Sequence, residues 1–144
     1  MQIRSVRLPI KKKIFLVIRR EIKTLNSRNS KKVLEMHMRL LRIFAGADHL
    51  SERVMALELI RSLKMKQNEA WDMASIQNGT PGDYTNFPLR EVHLEILENV
   101  YQGVPFEKIN KNYDRTDFEI AVGKATEAGI VDRNLKKMKI LLGL

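Results

Sequence analysis

Basic side chains dominate the residues that could do chemistry in this sequence. Arg19, Arg20, Lys23, Arg28, Lys31 and Lys32 crowd one short stretch, and Arg115, Lys124, Arg133, Lys136 and Lys137 form a sparser second set. Lysine and arginine at such density neutralise phosphates, so the chemistry they suggest is the binding of a polyanion. Their distribution is uneven. Residues 1–66 hold 17 basic and 5 acidic side chains, a net +12; residues 67–128 hold 5 and 11, a net −6; residues 129–144 hold 4 and 1, a net +3. The first half is therefore the better polyanion candidate. The same charges would also serve as a plain solvated helical face.

Other chemistries find little support. His37, His49 and His93 are scattered, and none has a partner at a metal-ligand spacing such as His-x-x-x-His. There is no Gly-x-x-x-x-Gly-Lys loop to cradle a nucleotide and no Gly-x-Ser-x-Gly elbow to present a nucleophile. The chain has no cysteine, which excludes disulfides and thiolate metal sites and fits a reducing cytosol. We therefore expect no enzyme activity, no cofactor, no metal site and a cytoplasmic location. Ile14–Ile18 is the longest apolar run near the N-terminus. It follows three lysines as a secretory leader would, but Arg19-Arg20-Glu21 end it below the ~7 residues such a leader needs. No membrane association is expected.

The elements that must carry these groups read as helices. With 144 residues, the chain has room for one domain or two small helical units sharing a core. Residues 1–8 alternate loosely and suggest a basic arm or an edge strand. Pro9 suits a helix start, and Ile14, Val17, Ile18, Ile22 and Leu25 follow at helical spacing, with Arg20 and Lys23 falling away from that stripe. Ser30 is expected to cap a second helix carrying Val33, Leu34, His37, Met38, Leu40, Leu41 and Phe44 as far as Gly46. A third helix, capped by Asp48 or Ser51, places Val54, Leu57, Ile60 and Leu63 on one face. Asn68 is expected to cap a short fourth helix with Trp71, Met73 and Ile76. The methionines at 36, 38, 55, 65 and 73 either fill this core or offer an adaptable dimer contact.

Residues 78–88 contain two glycines and two prolines and read as a linker between a basic helical subdomain, 1–77, and a second subdomain, 89–144. In the latter, Leu89 to Gln102 is an amphipathic helix ended by Gly103. Pro105 starts a short helix with Phe106, Ile109 and Tyr113. Asp114 or Thr116 caps a third helix, with Thr116 and Glu119 at capping-box spacing. Gly129-Ile130-Val131 follows. Lys139 to Leu142 could pair back with Ile130-Val131, making residues 132–137 the turn of a small β wing.

On Ile96-Leu97, Val100, Gly103, Tyr113, Phe118, Val122 and Ala128-Gly129-Ile130-Val131, the last fifty or so residues resemble a winged-helix domain and are similar to small phage and prophage winged-helix proteins of the YjcQ type. Together with the helical bundle read from the first half, the resemblance implies a mainly α protein whose second half is a helix-turn-helix with a short β wing. Residues 114–128 would be the recognition helix. Its Asp117, Glu119 and Glu127 depart from a basic DNA-reading surface, because carboxylates oppose phosphate binding.

The expectation from residues and resemblance together is a small DNA-binding regulatory or accessory protein of phage or mobile-element origin, with the eleven cations above as phosphate contacts and homodimerisation as an option. The competing reading is a protein-binding adaptor or inhibitor that uses the winged helix for docking. RNA binding has less support, since Phe15 and Phe44 sit within apolar stripes and make poor stacking platforms.

Overall fold

A computed structural model of the protein describes residues 10–26, 29–78 and 87–144. The expected N-terminal arm, the Pro9 helix start, Arg28 and most of the 78–88 linker lie outside the described residues. Seven helices are described: α1 (Ile10–Thr24), α2 (Ser30–Ala45), α3 (Leu50–Asn78), α4 (Glu91–Tyr101), α5 (Phe106–Ile109), α6 (Arg115–Glu127) and α7 (Arg133–Leu142).

Helices α1 to α3 run up, down and up. Phe15, Ile18 and Ile22 of α1 recur at i, i+3 and i+7 and are buried. The α1 and α3 axes are parallel: Arg19 approaches Glu58 at 3.9 Å, and eight residues further along α3 the Lys66 ammonium donates to the Lys23 carbonyl at 2.9 Å. Asn29, one residue before the expected Ser30, caps α2 by accepting from the Lys32 N–H at 3.2 Å. The turn into α3 is pinned by Arg53, which donates to the Ala47 carbonyl at 3.3 Å and covers the Phe44 ring.

The expected break at Asn68 is absent, and α3 continues for 29 residues, about 43 Å at 1.5 Å per residue. Asn68 does act at a helix start, but that of α4. Its Oδ1 accepts from the Glu91 N–H at 2.8 Å, and its Nδ2 donates to Glu91 Oε2 at 2.9 Å. The first-turn N–H groups of a helix have no partner within that helix, and a side chain from another helix satisfies one of them here.

Glycines end α4 and α6 as their positions suggest. Gly129 has φ +76°, and the bonds from Gly129 N to Thr126 O and from Ile130 N to Ala125 O close the last turn of α6. The β wing is not formed. Residues 133–142 are helical, and Val131 is 97% exposed. Asp132 caps this helix, accepting from the N–H groups of Asn134 at 2.9 Å and Leu135 at 3.1 Å. Leu135, Met138 and Leu142 are its buried face, at helical intervals. The run Lys139 to Leu142 reads as a strand only when Leu135 and Met138 are left out of the count.

Buried residues from all seven described helices belong to one apolar cluster, and α2 packs on both α4 and α6. The segments on either side of residues 79–86 thus share a core, despite their opposite net charge. Charge contributes little to that contact. The Lys64–Glu98 pair at 2.7 Å crosses it, while most of the basic side chains of α1 and α2 remain exposed.

Candidate nucleic-acid interface

Burying Phe15, Ile18 and Ile22 turns the other side of α1 outward. The exposed positions there are Lys12, Lys13, Leu16, Val17, Arg19, Arg20, Lys23 and Thr24, with no carboxylate among them. The five cations extend over about three turns. Among the described residues Arg19 forms an ion pair with Glu58, and its 3.9 Å approach joins two well-exposed side chains, so the pairing is weak. Lys31 and Lys32 stand exposed in the first turn of α2, at the end of the bundle where α1 finishes with Arg20 and Lys23. Neither α1 nor α2 has an acidic residue in its first turn. The partial positive charge of each helix start therefore adds to its lysines, an arrangement that mildly destabilises the helix and favours an anion nearby.

The second set of expected contacts is dispersed. Arg115 is solvent-exposed but engaged: it donates to the Leu142 carbonyl at 2.8 Å and to Glu119 at 2.9 Å, tying α6 to α7. This pairing takes the place of the expected Thr116–Glu119 capping box. Lys124 is buried, which removes it from any phosphate-facing surface. Arg133, Lys136 and Lys137 are exposed, on the outer face of helix α7 instead of a wing turn.

Helix α6 is a poor reading head. Phe118, Ala121, Val122 and Ala125 face the core, and Ile120 and Lys124 are buried as well. The exposed positions are Arg115, Thr116, Glu119, Thr126 and Glu127. With Arg115 engaged, the remaining charge on that face is acidic. An acidic groove of about 380 Å³ also opens between α3 and α4, lined by Asn68, Asp72, Arg90, Glu91, Val92 and Glu95. These carboxylates disfavour a phosphate close to them, whereas the exposed cations of α1 and α2 favour one.

Two buried histidine clusters escaped the sequence reading. His93 Nδ1 accepts from the Arg90 N–H at 2.8 Å, so Nε2 carries the proton and donates to Asp117 at 3.2 Å. Arg90 also reaches Asp117 at 3.3 Å and covers the Trp71 ring. A histidine beside an aspartate suggests a general base. Here the lone pair that would take a substrate proton is already used by the backbone. Burial, followed by the Arg90 and Lys124 charges, pushes His93 down to about 3. His37 is fully buried, donates from Nε2 to the Leu94 carbonyl at 3.2 Å and has no partner for Nδ1 among the described residues. Burial and then Lys64 hold His37 at about 3, and burial raises Glu98 above the usual carboxylate range. Both rings are neutral struts between helices. No sequence spacing signals either cluster, because their members come from three helices.

Among the described residues, no group of three or more acidic, histidine or cysteine side chains is placed to hold a metal ion, and no helix is long and apolar enough to cross a membrane. Compared with known proteins, the chain matches no family model, no curated protein and no solved structure.

Proposed function

We propose that this chain is a small DNA-binding accessory or regulatory protein that holds the phosphate backbone of a duplex through α1 and the start of α2. The observation carrying this reading is the outer face of α1, where Lys12, Lys13, Arg19, Arg20 and Lys23 stand exposed, with the half-buried Glu21 as the one carboxylate of the helix. Lys31 and Lys32 extend the patch, and Arg133, Lys136 and Lys137 supply a second one on α7. Contacts of this kind fix position and carry no base information. With the exposed face of α6 acidic and Arg115 engaged, the binding is governed by charge and duplex shape, and sequence preference is weak. In place of a β wing, the helix-turn-helix order of α4, α5 and α6 is followed by a helix.

The test is fluorescence anisotropy of a labelled random duplex across a salt series. Engagement of about four phosphates gives a log–log slope near −4, from roughly −0.9 per phosphate. Absence of binding at low salt overturns the reading.

The adaptor reading has one observation in its favour. Val131, Ile140, Leu141 and Leu144 are exposed beside the α7 cations, a mixed apolar and basic edge suited to a protein surface. Partner binding that persists at salt sufficient to strip DNA would select it.

A further inference from the structure

Helix α3 carries two apolar stripes. Ala56, Leu59, Ile60, Leu63 and Ala74 face the core. On the outward side, Leu50, Val54, Leu57, Met65 and Ile76 are exposed, Leu50 and Ile76 by 77% and 78%. Isolated exposed apolar residues are ordinary, but a line of them along one helix is not. Arg61 and Asp72 are the charges within the line, and Glu58, paired with Arg19, stands at its α1 edge. Residues 50, 61 and 72 are spaced by about three helical turns, which keeps the stripe straight along the axis. Arg61 and Asp72 are both exposed, and neither has an ion-pair partner among the described residues.

We propose that the part of this stripe from Leu57 to Ile76 is a homodimer interface in which α3 pairs antiparallel with α3 of a second copy, about a two-fold axis passing between residues 66 and 67. In that register Arg61 faces Asp72 of the partner subunit, and Leu57 faces Ile76 of the partner subunit. Symmetry supplies each contact twice. The charges select the orientation: a parallel pair in register sets arginine on arginine and aspartate on aspartate, which is repulsive. The flanks matter too. Helix α1 borders the stripe on one side, through Arg19–Glu58 and Lys66–Lys23, and α4 borders it on the other, through Asn68–Glu91 and Lys64–Glu98. A two-fold axis perpendicular to the paired helices keeps each flank on its own side. Both basic α1 faces then lie along one side of the dimer and both acidic α4 edges along the other.

This inference stands apart from the DNA reading, and its test contains no DNA. Sedimentation equilibrium of the full chain is compared with R61D, D72R and the R61D/D72R double variant, with circular dichroism confirming that each exposed substitution leaves the helices intact. The expected result is a dimer for the natural chain. Each single reversal should weaken it by about tenfold, because two charge pairs turn repulsive at once, and the double variant should recover most of the loss. A natural chain that stays monomeric into the millimolar range overturns the proposal. So does a dimer indifferent to both reversals, which places the interface elsewhere, or a double variant no tighter than the singles.

Discussion

Asn68, in the middle of α3, holds the first residue of α4 at both ends: it accepts the Glu91 N–H at 2.8 Å and donates to the Glu91 carboxylate at 2.9 Å. One amide thereby joins the basic segment to the acidic one across the break in the described chain. Asn68→Ala removes a helix cap and leaves the Glu91 N–H to find water. The expected loss is about 1–2 kcal/mol of stability, read as a lower urea midpoint. The transition should stay single, because the helices on both sides share a core. An unchanged midpoint, or two separate transitions, would contradict this account.

The two buried histidines predict a stability that falls with acid. Each is held near 3 in the folded chain, against about 6.5 when unfolded. Between those values the unfolded chain binds a proton that the folded chain refuses. The stability is fully present above about pH 6.5 and declines as pH falls toward 3, by up to roughly 1.4 kcal/mol per pH unit for each histidine. Glu98, whose carboxyl is raised by burial, acts with the opposite sign above its unfolded value and blunts part of the slope. Thermal midpoints measured from neutral pH down to about pH 5 should drop steeply, and His93→Gln should flatten the dependence. A flat natural profile would show that these rings are not buried and neutral.

Helix α7 and a β wing make different demands on the same residues. In the helix, Leu135, Met138 and Leu142 face the core, while Ile140 and Leu141 face solvent. Leu135→Ala or Met138→Ala should cost about 2–4 kcal/mol, and Ile140→Ser well under 1 kcal/mol. Greater sensitivity at 140 than at 138 would point back to a strand.

Lys124 separates a surface cation from a buried one. Lys124→Met keeps the length of the side chain and removes its charge from a buried site. DNA affinity should change less than about twofold, since the group cannot reach a phosphate. A loss comparable to that of an α1 reversal would return α6 to the interface.

Much of the helical order was legible in the sequence, because caps and periodicity are local. Gly103 and Gly129 mark the ends of α4 and α6, and Phe118, Val122 and Ala125 face the core as their spacing suggests. Besides the β wing, two expectations fail for physical reasons. Val54 and Leu57 were assigned to the same face as Ile60 and Leu63, yet they are exposed; α3 is apolar on two sides, so a single-stripe reading merges both. Asn68 was read as a cap for its own helix, because nothing in the sequence reveals that its amide reaches α4. The methionines divide: Met36 is buried and Met38 and Met55 pack against the core, whereas Met65 and Met73 are outside. Of the expected phosphate contacts, Arg19, Arg20, Lys23, Lys31, Lys32, Arg115, Arg133, Lys136 and Lys137 are on the surface. The burial of Lys124 depends on how α6 packs against its neighbours, which no local pattern encodes.

The central claim is that α1 supplies the phosphate contacts, and the most direct measurement is the salt dependence of duplex binding for the natural chain and for Arg20→Glu/Lys23→Glu. Both positions are exposed, so the fold should survive. The account predicts a weaker affinity and a log–log slope shallower by about 2, one unit for each lost phosphate contact. An unchanged slope, with reversal of Lys136 and Lys137 producing the larger effect, would move the interface to α7 and contradict the claim.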